Sequence, residues 1–291
     1  MKSLIISPLL LVLICQVLLI LITPALASSS PPINVVVVGG SSGMGKAAAI
    51  AVVQRGGKAL LISRSTDKLS RAEKEVAAAC CHGGSVSTAS LDVTDEEAVK
   101  EFAQKIPNNE WNALVVSCAG RAPHGPITEL PISETRCLFE SKFWGSVNCS
   151  KYFSPKLKRE GSITIVSGVL NRRPGINCSP LAATNGALEG LTRSLALELG
   201  PRLRVNCLSP GFCNTERFEH MDIDKRDAML ANTAASLPLQ TVGRPHDMGE
   251  AIYYLATAPF VTGVVLDVDG GHSIRQYANV NTDPMRNKSV T

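Results

Sequence analysis

Val35-Val36-Val37-Val38-Gly39-Gly40-Ser41-Ser42-Gly43-Met44-Gly45-Lys46 is the stretch that decides the fold of this 291-residue chain. Its unbroken β-branched run predicts a strand buried on both faces, and the alanine-rich sequence from Ala47 onward predicts a helix. Between them, Gly39 and Gly43 relieve crowding where the turn tightens, and Gly45 lets helix and strand approach. Such a helix start aims backbone N–H groups and a positive dipole end at an anion, typically a pyrophosphate. A glycine pattern alone is weak. Here a strand precedes it, a helix follows it, and a second strand arrives at the right distance, which makes the signal specific.

Outward from that turn, short apolar runs alternate with helical patterns. The runs cover residues 34–38, 58–62, 86–90, 113–117, 162–167, 203–208 and 264–268. Amphipathic stretches at 67–79 and 94–106 separate some of them, and Thr94-x-x-Glu97 reads as a capping box opening the second. The alternation predicts an α/β fold, a single Rossmann-type doubly wound parallel sheet of about seven strands flanked by helices. That domain is expected over 33–275, with 276–291 as a C-terminal tail and no internal repeat. The polar, helix-prone segment 214–243 is the natural lid over a pocket.

The first 32 residues are a different material. Lys2, an apolar stretch, and Ala25-Leu26-Ala27 describe a signal peptide or signal anchor over 1–27, and 28–32 is a Ser/Pro linker. Either reading implies the secretory pathway or the endoplasmic reticulum membrane, and the anchor reading adds membrane association through this segment. A net charge of +4 and 4% aromatic residues give no basis for nucleic-acid binding. The cysteines outside the leader have no zinc spacing, so no metal is expected and free thiols are the simpler reading. Asn148, Asn177 and Asn287 begin Asn-x-Ser sequons. The first two fall near helix or active-site surfaces, where a glycan would be awkward.

The G-x-x-x-G-x-G spacing resembles that of the short-chain dehydrogenase/reductase family, and the resemblance runs from residue 33 to about 273. It continues in Asp92-Val93, in Ser117-Cys118-Ala119-Gly120, in Asn206-Cys207-Leu208-Ser209-Pro210-Gly211 with Thr215 beyond, and in Thr262-Gly263 and Asp269-Gly270-Gly271. It implies a nicotinamide dinucleotide held by Gly39, Ser41, Ser42, Gly43, Met44, Gly45, Asp92, Val93, Ala119, Gly120, Asn185, Pro210, Gly211 and Thr215. It also implies a small-molecule substrate and a homodimer or homotetramer built from the helices around 131–157 and 180–199. Where NAD binders carry an acid after the second strand, this chain has Ser63-Arg64-Ser65. Arg64 can pair with a 2′-phosphate that a carboxylate would repel, so NADP is the expected cofactor.

The proton-transfer residues of that family are missing. Matched position by position, the Tyr slot holds Leu181, the Lys slot Asn185, the Ser slot Gly168 beside Ser167, and the Asn slot Lys142. The tyrosines lie at 152, 253, 254 and 277, so none is on this helix. Leucine cannot donate a proton, and losing a positioned general acid costs about 10²–10⁴ in rate. Lys142, with Ser167 and Asn185 as hydrogen-bonding neighbours, is the candidate replacement. Its bland alternative is a surface lysine reaching to water. Arg172 and Arg173 could bind an acidic substrate or be solvated loop charges. Three functions remain open: an NADP(H)-dependent reductase for a carbonyl, enone or imine, a non-redox cyclase or isomerase, and an NADP-binding pseudoenzyme.

Overall fold

A computed structural model describes residues 31–274. The leader, residues 28–30 of the linker and all of the C-terminal tail, with the readings attached to them and the Asn287 sequon, lie outside the described residues. Seven parallel strands form one sheet: β1 (Asn34–Val38), β2 (Lys58–Ser63), β3 (Ser85–Ser90), β4 (Trp111–Val116), β5 (Leu157–Val166), β6 (Leu203–Pro210) and β7 (Val265–Val268). Their spatial order is β3-β2-β1-β4-β5-β6-β7, so the winding reverses between β1 and β4. In open sheets of this kind the crevice beyond that reversal is where ligands bind.

Both faces of the sheet are covered, which is why β1 reads as valine throughout rather than alternating. Val35 and Val37 pack toward α1 (Gly43–Val53), α2 (Thr66–Ala78) and α8 (Pro245–Thr257), the last of which follows α7 (Ile223–Ala235) in the chain. Val36 and Val38 point the other way, toward α3 (Glu96–Lys105), α5 (Gly145–Phe153) and α6 (Ser179–Leu199). The edge strand β3 departs from the expectation of two buried faces. Its Ser-Val-Ser-Thr-Ala-Ser sequence alternates between exposed and half-buried positions, as an edge with thin cover does. Gly249 of α8 lets that helix settle on α1, because a Cβ there would lie 2.6 Å from the Ala47 carbonyl oxygen.

The capping box expected at Thr94 does not form. Asp95 caps α3 by accepting the Ala98 N–H at 3.0 Å, while Thr94 turns back and donates to Asp92 Oδ1. A carboxylate one residue nearer the helix is the better partner for its positive end. Between α4 (Ile132–Phe139) and α5, residues Glu140–Trp144 form a π-helical turn. The extra residue of such a turn re-aims side chains, and such turns recur at functional sites. Here the turn buries Ser141 and Lys142. Of the sequons, Asn148 is buried and donates to the Val93 carbonyl at 3.0 Å, which no glycan could accompany. The eight cysteines outside the leader are free, with Cys149, Cys207 and Cys213 buried and Cys81 and Cys137 exposed. Among the described residues no helix is long and apolar enough to cross a membrane.

Candidate functional site

The turn after β1 needs its glycines for steric reasons. A Cβ on Gly45 would sit 2.4 Å from the Gly39 carbonyl oxygen, so only glycine lets α1 start this close to the strand. Gly43 adopts φ +55, in the left-handed region, and its open side faces Thr215. Beyond the turn runs a groove of about 1340 Å³. Its walls include Gly39, Ser41, Ser42, Gly43 and Met44 from the turn, and Ser63, Arg64 and Ser65 from the end of β2. Asp92 and Val93 follow β3, Ala119 and Gly120 follow β4, and Thr215 comes from the segment after β6.

At one end, Arg64 lies 3.7 Å from Asp92, and both side chains are substantially exposed. Burial pushes the Asp92 carboxyl up, but hydrogen bonds from Thr94 and the nearby Arg64 guanidinium outweigh it and hold it below the usual value. Ser41 and Ser63 bond to each other at 3.0 Å, and Ser65 caps α2 by accepting the Lys68 N–H. Lys68 and Arg71 line the same end, so it is rich in cations.

Six of the expected site residues do not reach the walls of the groove, among them Gly45, which packs against the Gly39 backbone. Lys142, Ser167, Asn185 and Pro210 are buried beneath it, and Gly211 is pressed against Asp269. The surface-lysine reading of Lys142 is therefore corrected: its side chain turns inward, because the π-helical turn carries it under the sheet's carboxyl edge. Its ammonium donates to Asn185 Oδ1 at 2.5 Å and to the Ser167 carbonyl at 2.9 Å. Desolvation lowers its pKa to about 8. Asn185 is wedged against Gly168, where a Cβ would lie 2.9 Å from its Nδ2. Thus the four slots form one packed cluster of Lys142, Asn185 and the Ser167–Gly168 backbone, with Leu181 half-buried on the same helix.

The Ser167 hydroxyl points elsewhere, 3.3 Å from Glu189. Arg172 is neither a solvated charge nor an open anion site. It bridges the buried Glu189 at 2.5 Å and Asp267, and also donates to Ser209.

Three further groups belong to this region although no motif announced them. Ser141 accepts the Gly120 N–H at 2.9 Å and donates to the Cys137 carbonyl, tying the turn after β4 to the π-helical turn. Lys46 and Glu216 meet across the glycine turn, with Lys46 just past the last motif glycine and Glu216 just after Thr215. Adjacency to a recognised position was the only sequence signal for any of them. Among the described residues no cluster of His, Cys, Asp and Glu could hold a metal ion.

The groove suits a nicotinamide dinucleotide. The turn is tight enough that a Cβ at Gly39 or Gly45 would strike backbone, α1 opens onto the groove with its Gly43 amide held by Glu216, and cations gather where a ribose phosphate would lie. A family model described as "Enoyl-(Acyl carrier protein) reductase" matches residues 38–273. A cis-4-hydroxycyclohexanecarboxylate dehydrogenase of Sinomonas cyclohexanicum is 31% identical over 189 residues, covering 62% of this chain and 74% of that protein. A solved small-chain dehydrogenase in complex with NADPH shares 33% identity at a TM-score of 0.69, over 83% of this chain and 98% of its own. The MalC Reductase/Diels-Alderase of Malbranchea aurantiaca superposes with a TM-score of 0.77 at 25% identity, over 84% of this chain and 97% of its own.

Proposed function

The chain belongs to the short-chain dehydrogenase/reductase family of oxidoreductases, and on that premise we propose that it is an NADP(H)-dependent reductase for a small carbonyl, enone or imine whose proton donor is Lys142. The observation that carries this reading is the placement of Lys142. In the cluster where the family keeps its proton-transfer residues, it is the one ionisable amine, 2.5 Å from Asn185 and with a pKa lowered to about 8. A general acid works best when its pKa lies near the working pH, and desolvation has moved this amine in that direction.

Arg64, with Lys68 and Arg71 alongside, supplies the charge that a 2′-phosphate would pair with, in keeping with the NADPH-bound structural neighbour. The glycine turn and the first amides of α1 would hold the diphosphate, and Thr215 would close over it. When bound, the nicotinamide supplies the hydride. The chain's own part is to hold a proton at Lys142 Nζ, fixed by Asn185 and the Ser167 carbonyl. Because the amine is buried short of the groove, this cluster must open toward the nicotinamide for the proton to reach substrate. Enones and imines suit the site because their reduction asks less of an acid at oxygen. The test is NADPH oxidation by the purified chain across a carbonyl, enone and imine panel, repeated with Lys142→Ala. Turnover of one class, lost about a hundredfold or more in the variant, supports the assignment. Equal rates in both proteins remove Lys142 from the mechanism.

Two observations favour a second reading, a non-redox cyclase or isomerase. Leu181 stands in the tyrosine slot, and a structural neighbour is named as both reductase and Diels-Alderase. Product formation without change in NADPH absorbance identifies it.

We also read residues 1–27 as a signal peptide or N-terminal anchor, directing the domain to the secretory pathway or the endoplasmic reticulum membrane. A homodimer or homotetramer is consistent with Ile132, Trp144 and Leu197, which expose apolar surface on the helices expected to build such an interface.

A further inference from the structure

Glu216 follows Thr215 at the start of the 214–243 segment, and its carboxylate turns inward onto the glycine turn. Oε2 accepts the Gly43 N–H at 2.8 Å, and Oε1 lies 2.6 Å from the Lys46 ammonium. Gly43 is the first residue of α1, so its amide has no acceptor within the helix. Lys46 is one turn further along and is held from its other side by Glu75 at 2.5 Å. The contact is sheltered, with the Lys46 and Glu216 side chains only 14% and 29% exposed. Burial pushes the Glu216 carboxyl up, yet the bonds from Lys46 and the Gly43 amide prevail and keep it below the usual value.

A carboxylate and a phosphate oxygen satisfy the same donors, and both are favoured at the positive end of a helix. We propose that Glu216 is a latch whose carboxylate holds the segment after β6 on the donors required by a dinucleotide's diphosphate, so that cofactor entry releases it. The inference rests on the dinucleotide reading given above. Release exchanges one anion for another and leaves no cation stranded, because Lys46 keeps Glu75. Nor does it detach the base of the segment. Phe218 stacks on Phe212 with ring centroids 5.2 Å apart, a contact that does not involve the carboxylate. A form in which the latch is closed lowers apparent cofactor affinity by the fraction of molecules it occupies.

Two readouts on the full chain test this, using Glu216→Gln, which keeps the side chain's size and removes its charge. The first is the rate of trypsin cleavage at Arg217, Lys225 and Arg226 without cofactor. The second is the dissociation constant for NADPH. Cleavage of the variant is expected to rise about threefold or more and NADPH to bind roughly fivefold more tightly, the ratio expected if most molecules are latched. Glu75→Gln, which touches Lys46 but not the glycine turn, should leave both values within about twofold, as for an exposed ion pair. A folded Glu216→Gln protein with unchanged cleavage, or with weaker NADPH binding, overturns the latch. Faster cleavage with no NADPH binding by either protein overturns the dinucleotide reading and leaves the lid contact standing.

Discussion

The Lys142 ammonium lies 2.5 Å from the Asn185 carboxamide oxygen, in a cluster almost sealed from water. An unpaired charge there would be prohibitive, and even a hydrogen-bonded one is costly enough to shift its titration. In this chain the amine is carried on the π-helical turn and the amide on α6, and each is held in place by the other.

Stability should record that burial. The Lys142 amine titrates at about 8 in the folded chain, against 10.5 for the ordinary group. Between those values the unfolded chain holds a proton that the native chain has released, so this group makes unfolding harder as pH rises through the window. Cys118 and Cys213, both pushed up to about 12 by burial, act in the opposite direction above the usual thiol value. The difference between wild type and Lys142→Met therefore isolates the lysine. Urea unfolding should show the stability of the variant, relative to wild type, falling by on the order of 3 kcal/mol from pH 7 to pH 10.5. A flat difference would mean that the amine is not buried as described.

Arg64→Ala should weaken NADPH binding by about 10- to 100-fold, the range for one charge-assisted contact, and change NADH binding little. Fluorescence titration of both coenzymes measures it. Equal losses for the two would place Arg64 away from the 2′-phosphate.

The glycine turn predicts a pair of opposite effects. Gly45→Ala would bring a Cβ to 2.4 Å from backbone oxygen, and overpacking of this kind costs about 1–3 kcal/mol. Gly190 lies within α6 with nothing inside 4 Å of a Cβ, so Gly190→Ala should add roughly 0.5–1 kcal/mol. Chemical denaturation midpoints moving in opposite directions would verify both.

Arg172→Met removes the partner of Glu189, which is only 5% exposed. Breaking a buried pair costs 3–5 kcal/mol, and with Arg172 about a third exposed the loss should be nearer about 2 kcal/mol. Thermal unfolding checks it. A neutral result would return Arg172 to the role of a solvated loop charge.

The fold was legible because its signals are local. Four consecutive valines can only serve a strand covered on both sides, and a glycine turn followed by alanines fixes the βα join. Strand bounds from sequence differ from the structure mainly in β5, which starts at Leu157 because Leu157 pairs with Trp111 before the ladder becomes irregular. The cofactor groove was readable for the same reason, since each of its walls follows a strand end. The proton-handling cluster was not. Whether Lys142 faces water or the interior depends on a π-helical turn, and no residue pattern in Glu140–Trp144 announces one. Glu216 was invisible for a different reason: its partners Gly43 and Lys46 lie about 170 residues earlier in the chain.

Calorimetric titration of the purified chain with NADPH and NADH tests dinucleotide binding most directly. Saturable binding of NADPH, at least about tenfold tighter than NADH, is the predicted result. No detectable heat or affinity with either coenzyme would contradict it.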